Sequence, residues 1–174
     1  MRAIHVCAAL LWAVASVHAA DRVDPLAKAR QLYNLGDYDA AVAAADEGGR
    51  APDKADGAHL VAARAYLEKF RRSSSPDDLV SARSRLSRID TERLSGPERV
   101  EWVVGLGEAL YFDGAAGAAS ELFDSVLDDV SLASDAREGV LDWWASALDE
   151  DARSGRRPNA APSTNASAAA CGRN

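Results

Sequence analysis

GLGEALYFDGAAGAASELFDSVL, residues 105–127, places Gly107, Leu110, Gly114, Ala116, Ala119 and Phe123 at spacings that an earlier part of the chain also uses. Ala29, Leu32, Gly36, Tyr38 and Ala41 stand at the same internal offsets, and Ala63 and Tyr66 follow Ala29 and Leu32 by 34 residues. A period of this length marks stacked helical hairpins, each too small to bury its own apolar face. Small residues at Ala29, Ala63 and Gly107, opposed by Ala41, Ala82 and Ala119, let paired helices approach closely while larger apolar residues fill the next layer. Trp102, Leu106 and Leu110 recur four apart and make a stripe along one helix face. Core packing accounts for all of these residues.

Outward from this stretch the same helical period continues. Alanine is abundant, runs of β-branched residues are absent, and Gly or Pro falls between the periodic segments, which predicts an all-α fold. Seven helices are expected, at about 24–35, 38–49, 56–70, 76–89, 97–113, 116–129 and 134–152. Pro76 after Ser75, and Pro97 followed by Glu98, suit first helical turns, and Ser134 offers a side-chain cap. Gly36 and Gly114 fall where the first helix of a hairpin must stop, and glycine tolerates the left-handed backbone of such a turn.

The two ends read differently from the middle. Arg2, the twelve-residue run Val6–Val17 and the small-neutral site Val17, His18, Ala19 predict a cleaved signal peptide over residues 1–19. Spanning a bilayer takes about 20 apolar residues, so no transmembrane segment is expected after cleavage. A periplasmic or secreted location follows. Cys171 is then the one remaining cysteine, which leaves no partner for an internal disulfide. Residues 20–153 form the expected repeat domain. Residues 154–174, rich in Gly, Pro, Ala, Ser and Asn and without a large apolar side chain, read as a disordered tail or as a linker to a further domain.

The repeated residues resemble the tetratricopeptide repeat, a family of 34-residue helical hairpins. The third hairpin carries the resemblance best, through Leu106, Gly107, Leu110, Gly114, Ala116, Ala119, Phe123, Val126 and Leu127, with Ala116 where the family usually has an aromatic. In the first hairpin Gly36, Tyr38 and Ala41 match, while Ala45 and Gly48 replace larger residues. The second is stretched by ten residues, within RRSSSPDD (71–78) and RLSGPE (93–98), which are expected to lengthen turns. The resemblance covers about residues 24–130. It implies a right-handed α-solenoid of about three tetratricopeptide-like hairpins, closed by a C-terminal capping helix around Trp143 and Trp144 or continued there by a partial fourth repeat.

The resemblance also implies a place for a ligand, the concave groove lined by the first helix of each hairpin. Carried over residue by residue, that groove takes Arg30, Tyr33 and Asn34 from the first hairpin, Arg64 and Glu68 from the second, and Glu108, Tyr111 and Phe112 from the third. Leu26 and Leu60 stand where the family's carboxylate clamp has lysines, so a clamp for acidic peptide ends is not expected.

Little in the chain suggests chemistry. Once the signal peptide is removed His59 is the only histidine, so a Cys/His or Ser/His/acid arrangement would depend on it. No His/Cys set has metal-ligand spacing and no glycine loop suits a phosphate. Neither catalysis nor a cofactor is expected. The mature chain has 19 basic against 27 acidic residues, which argues against general nucleic-acid binding. Its charge is uneven: −3 over residues 20–63, +3 over 64–99, −12 over 100–152 and +4 over 153–174. Such a field either steers a basic partner or simply solubilises the helix faces. The expected function is an exported, non-enzymatic scaffold that binds a protein or peptide in the groove. Two alternatives are an accessory repeat domain of a larger envelope enzyme or carbohydrate-handling system, and a groove for a small ligand.

Overall fold

The computed structural model describes residues 24–156. The expected signal peptide, Cys171 and the tail beyond Arg156 lie outside the described residues. Within them the chain is all-helical: α1 (Pro25–Asn34), α2 (Tyr38–Gly48), α3 (Ala55–Ser73), α4 (Pro76–Leu86), a 3-10 turn (Thr91–Arg93), α5 (Gly96–Phe112), α6 (Ala116–Leu127) and α7 (Ser134–Arg156). Each helix packs on the next in the chain. The odd-numbered helices also touch in succession, α1 on α3, α3 on α5 and α5 on α7.

Local chemistry explains where the helices start and stop. The Asp24 carboxylate accepts from Leu26 N at 3.2 Å ahead of Pro25, and Asp37 does the same for Ala40 N at 3.2 Å. Gly36 (φ 77°) and Gly114 (φ 80°) close α1 and α5 in one geometry. Gly36 N donates to Tyr33 O and Asp37 N to Leu32 O at 2.9 and 3.0 Å, while Gly114 N and Ala115 N bond Tyr111 O and Leu110 O at 3.0 and 2.9 Å. Both pairs satisfy carbonyls that a helix end would leave bare. A Cβ at Gly114 would meet no atom within 4 Å, so Gly114→Ala isolates the backbone cost of the left-handed conformation. Urea unfolding should show that variant destabilised by about 1–2 kcal/mol.

Several boundaries differ from the sequence expectation. α3 continues through Arg71, Arg72 and Ser73, three of the eight residues of the expected loop stretch, and stops at Ser74 in the left-handed region (φ 54°). The two arginines sit favourably at the negative helix end, Arg71 on Glu68 at 2.8 Å and Arg72 over the Tyr38 ring at 4.3 Å. α4 ends early at Leu86, whose carbonyl accepts the Trp102 indole N–H at 3.2 Å. Ser134 is not the cap of α7 but its first residue, since the Ala133 carbonyl already accepts from Arg137 N at 3.1 Å. Finally, α7 runs four residues past the expected 152, to Arg156; the Arg153 side chain bonds Asp149 and Glu150, and the Ser154 hydroxyl folds back on the Glu150 carbonyl at 3.0 Å.

The small residues of the repeated set are the most buried. Ala29, Ala41, Ala63, Ala82 and Ala119 are fully buried between helices, as is Phe123. Gly107 explains how Phe123 fits: a Cβ there would lie 2.6 Å from the ring. The ring of Phe123 also stacks on Trp143 of α7, centroids 6.2 Å apart. The Trp102, Leu106, Leu110 stripe divides between two clusters. Trp102 and Leu106 pack towards Leu67, Leu79 and Leu86, whereas Leu110 joins Phe123 and Val126. Residues four apart drift in angle by about 40° per step, so the two steps of the stripe turn α5 from one neighbour towards another.

Candidate functional site

The odd-numbered helices carry all eight residues expected in the groove, and cross-helix contacts reach five of them, Arg30, Tyr33, Arg64, Tyr111 and Phe112. Arg30 of α1 reaches across to Glu98 of α5. Tyr33, one turn further along α1, lies under the Arg64 guanidinium of α3 at 4.6 Å and 5.6 Å from the Tyr38 ring. Arg64 in turn donates to Glu101 of α5 at 2.8 Å. Glu68 takes Arg71 at 2.8 Å, and the Arg71 guanidinium rests 5.3 Å over Trp143 of α7. Tyr111 and Phe112 meet the same Trp143 ring edge-on at 5.4 and 5.5 Å, and Phe112 also packs on Phe70 at 4.9 Å. Asn34 is exposed at the end of α1 and stands apart from these contacts.

Arg30 and Arg64 were expected to face a partner. Instead each is matched inside the chain, Arg30 by Glu98 and Arg64 by Glu101, and the neighbouring Arg71 is matched by Glu68. Four participants were not anticipated: Glu98, Glu101, Arg71 and Trp143. Charge periodicity held the signal for two of them, because Arg64, Glu68 and Arg71 recur at i, i+4 and i+7 on α3 while Glu101 and Glu108 are seven apart on α5. Glu98 is recruited twice. Its carboxylate reaches back to the Ser95 backbone N–H at 3.0 Å and hydroxyl at 2.7 Å, closing the start of α5, and also meets Arg30.

Electrostatics single out Glu108. Burial, then repulsion from Glu68, pushes its carboxyl up to about 7, with Arg64 and Arg71 only partly offsetting the rise. Burial likewise pushes the Tyr33 hydroxyl up to about 12, against the pull of Arg64. Burial works against the Arg64 charge, but Tyr33, Glu101 and Glu108 outweigh it and hold the guanidinium protonated. Glu98 moves the other way from Glu108: burial is overcome by its bonds to Ser95 and by Arg30, so it stays ionised below the usual range.

Other features carry less. His59 contacts Arg85 at 3.4 Å, and burial followed by Arg85 and Arg88 lowers its pKa. A shallow cleft of about 310 Å³ beside Gly36 has its charges matched within it, Lys69 lying 2.8 Å from Asp39 and 3.3 Å from Asp78. Among the described residues no group of three or more His, Cys, Asp or Glu is placed to hold a metal, and no helix is long and apolar enough to cross a membrane. Compared with protein-family models, curated proteins and solved structures, the chain matches none.

Proposed function

We propose that this chain is an exported, non-enzymatic scaffold of the tetratricopeptide type, which binds a protein or peptide along its odd-numbered helices. On this reading the helices form a right-handed α-solenoid of about three hairpins, capped by α7, and act in the periplasm or outside the cell. Contact of α1 with α3, α3 with α5 and α5 with α7 supports the arrangement, as do the matching glycine turns at Gly36 and Gly114. The observation that carries the binding role is the row Tyr33, Arg64, Glu68, Glu108, Tyr111, Trp143, which crosses four helices and mixes rigid aromatic area with charge. Such a mixture favours recognition, because aromatic and arginine side chains concentrate binding energy. Nucleic acid is disfavoured by the −12 charge over residues 100–152, which takes in most of α5 and all of α6.

A displayed library of random dodecapeptides, selected on the mature chain, tests this reading. Binders should emerge, and Arg64→Ala with Tyr111→Ala should weaken them by about tenfold or more, as expected for two central contacts. Unchanged affinity in that double variant, with helical circular dichroism intact, removes the groove from consideration.

A further inference from the structure

We propose that Glu108, with Glu68 beside it, seats a cationic side chain of the bound peptide, a lysine ammonium or an arginine guanidinium. The inference rests on the groove reading above and specifies the chemistry at its centre. It begins from the matching of charges along the row. Arg30, Arg64 and Arg71 each have a carboxylate partner in the chain, whereas Glu108 interacts with Arg64, Arg71 and Glu68 only through space. No side-chain oxygen or nitrogen among the described residues is both sealed from solvent and without a hydrogen-bond partner. The unpartnered Glu108 carboxylate, although largely buried, therefore opens to the outside, and the missing donor can arrive from there.

Arg64 and Arg71, which face Glu108, are already bonded to Glu101 and Glu68, so the surroundings suit a cation. An anion would meet two carboxylates. An apolar group would complete the desolvation of Glu108 without supplying a donor, which is costly for a carboxylate. A cation supplies both donor and opposite charge, and on the next turn of α5 Tyr111 and Phe112 add aromatic rings on the same side of the helix. The protein already uses this chemistry internally: Arg64 lies over Tyr33, Arg71 over Trp143 and Arg72 over Tyr38 at 4.6, 5.3 and 4.3 Å. The bound residue would add one more cation–ring contact, and the acidic C-terminal third would draw it in.

Binding of a cation holds Glu108 ionised, so a proton leaves when the peptide arrives. The groups facing Glu108 are Glu68, Arg64 and Arg71 from α3, with Tyr33 of α1 sharing their field. Arg64 and Tyr33 keep their protonation between pH 6 and 8, so Glu108 dominates the pH response.

The test uses the dodecapeptides selected on the mature chain at pH 8. Recovered sequences should share a Lys or Arg at one position, and replacing a selected Lys by norleucine should weaken binding by about tenfold or more. Glu108→Gln should weaken the lysine peptide by a similar factor yet leave the norleucine peptide unaffected. Affinity of the unmodified protein should rise by about tenfold from pH 6 to pH 8, with proton release in calorimetry, and Glu108→Gln should abolish both. Glu68→Gln should weaken binding by a smaller factor. Binders with no basic residue, or with full affinity for Glu108→Gln, overturn the cation seat while leaving the groove standing if Arg64→Ala with Tyr111→Ala still abolishes binding. Failure of any peptide to bind overturns the seat and the groove together.

Discussion

Phe123→Ala should lower the unfolding free energy by about 4 kcal/mol, the largest loss expected from any single truncation among the described residues. Phe123 is fully buried, sits against the bare backbone of Gly107 and stacks on Trp143. Removing its ring empties a site bounded by α5, α6 and α7 at once, so no single helix can move in to fill it. In a domain of this size the thermal midpoint should fall by about 10–15 °C. Gly107→Ala tests the same contact from the other side. The added methyl meets the ring at 2.6 Å, and overpacking of about 1–3 kcal/mol exceeds or cancels the better helix propensity of alanine. In the Phe123→Ala background the same change should become stabilising. A double-mutant cycle by urea unfolding checks this, and additive effects would mean that the two side chains do not share the space.

Stability should fall as pH rises from about 5 to about 7.5, because of Glu108. Its carboxyl, ordinarily near 4.5, titrates near 7 in the folded chain. Below the ordinary value both states hold the proton and no penalty exists. Between the two values the folded state keeps a proton that the unfolded state has released, so stability declines with pH and levels off above the folded value. At 1.36 kcal/mol per unit, the full loss is on the order of 3 kcal/mol. Glu108→Gln should remove it, leaving a variant more stable than the parent at pH 8 and little changed at pH 4.5. Three groups with lowered pKa values act oppositely. Glu98 and Asp24 are held ionised below the usual range and lose their contribution as pH drops through it, and His59, lowered by burial, destabilises the fold as pH falls below its ordinary 6.5. The difference between parent and variant midpoints across pH cancels these terms and isolates Glu108.

Most of the helical layout could be read from residue types alone. Gly36 and Gly114 announced their turns because a left-handed closure requires them, and Pro25, Pro76 and Pro97 all fall in first turns. Runs of serine and glycine misled at two ends. Arg71–Ser73 and Ser154–Arg156 look like loop, yet Ser73 and Ser154 return their hydroxyls to carbonyls four residues back, at Lys69 and Glu150, and stay helical. In the groove, the offsets located Tyr33, Arg64 and Tyr111 on their helices. They could not reveal that Arg64 bonds Glu101, 37 residues away, because that choice depends on how far α3 and α5 are rotated towards each other. The isolation of Glu108 was hidden for the same reason. A carboxylate lacks a partner only relative to neighbours that the packing brings close.

The contact between Gly107 and Phe123 also restricts the order in which this sequence can drift. Every replacement of glycine adds volume, and none is absorbed while the ring stays where it is. Residue 123 must shrink first, to something like leucine, before residue 107 can grow. The reverse order passes through a chain with an overfilled core. The two positions act as a ratchet on inheritance, open in one sequence of steps and closed in the other.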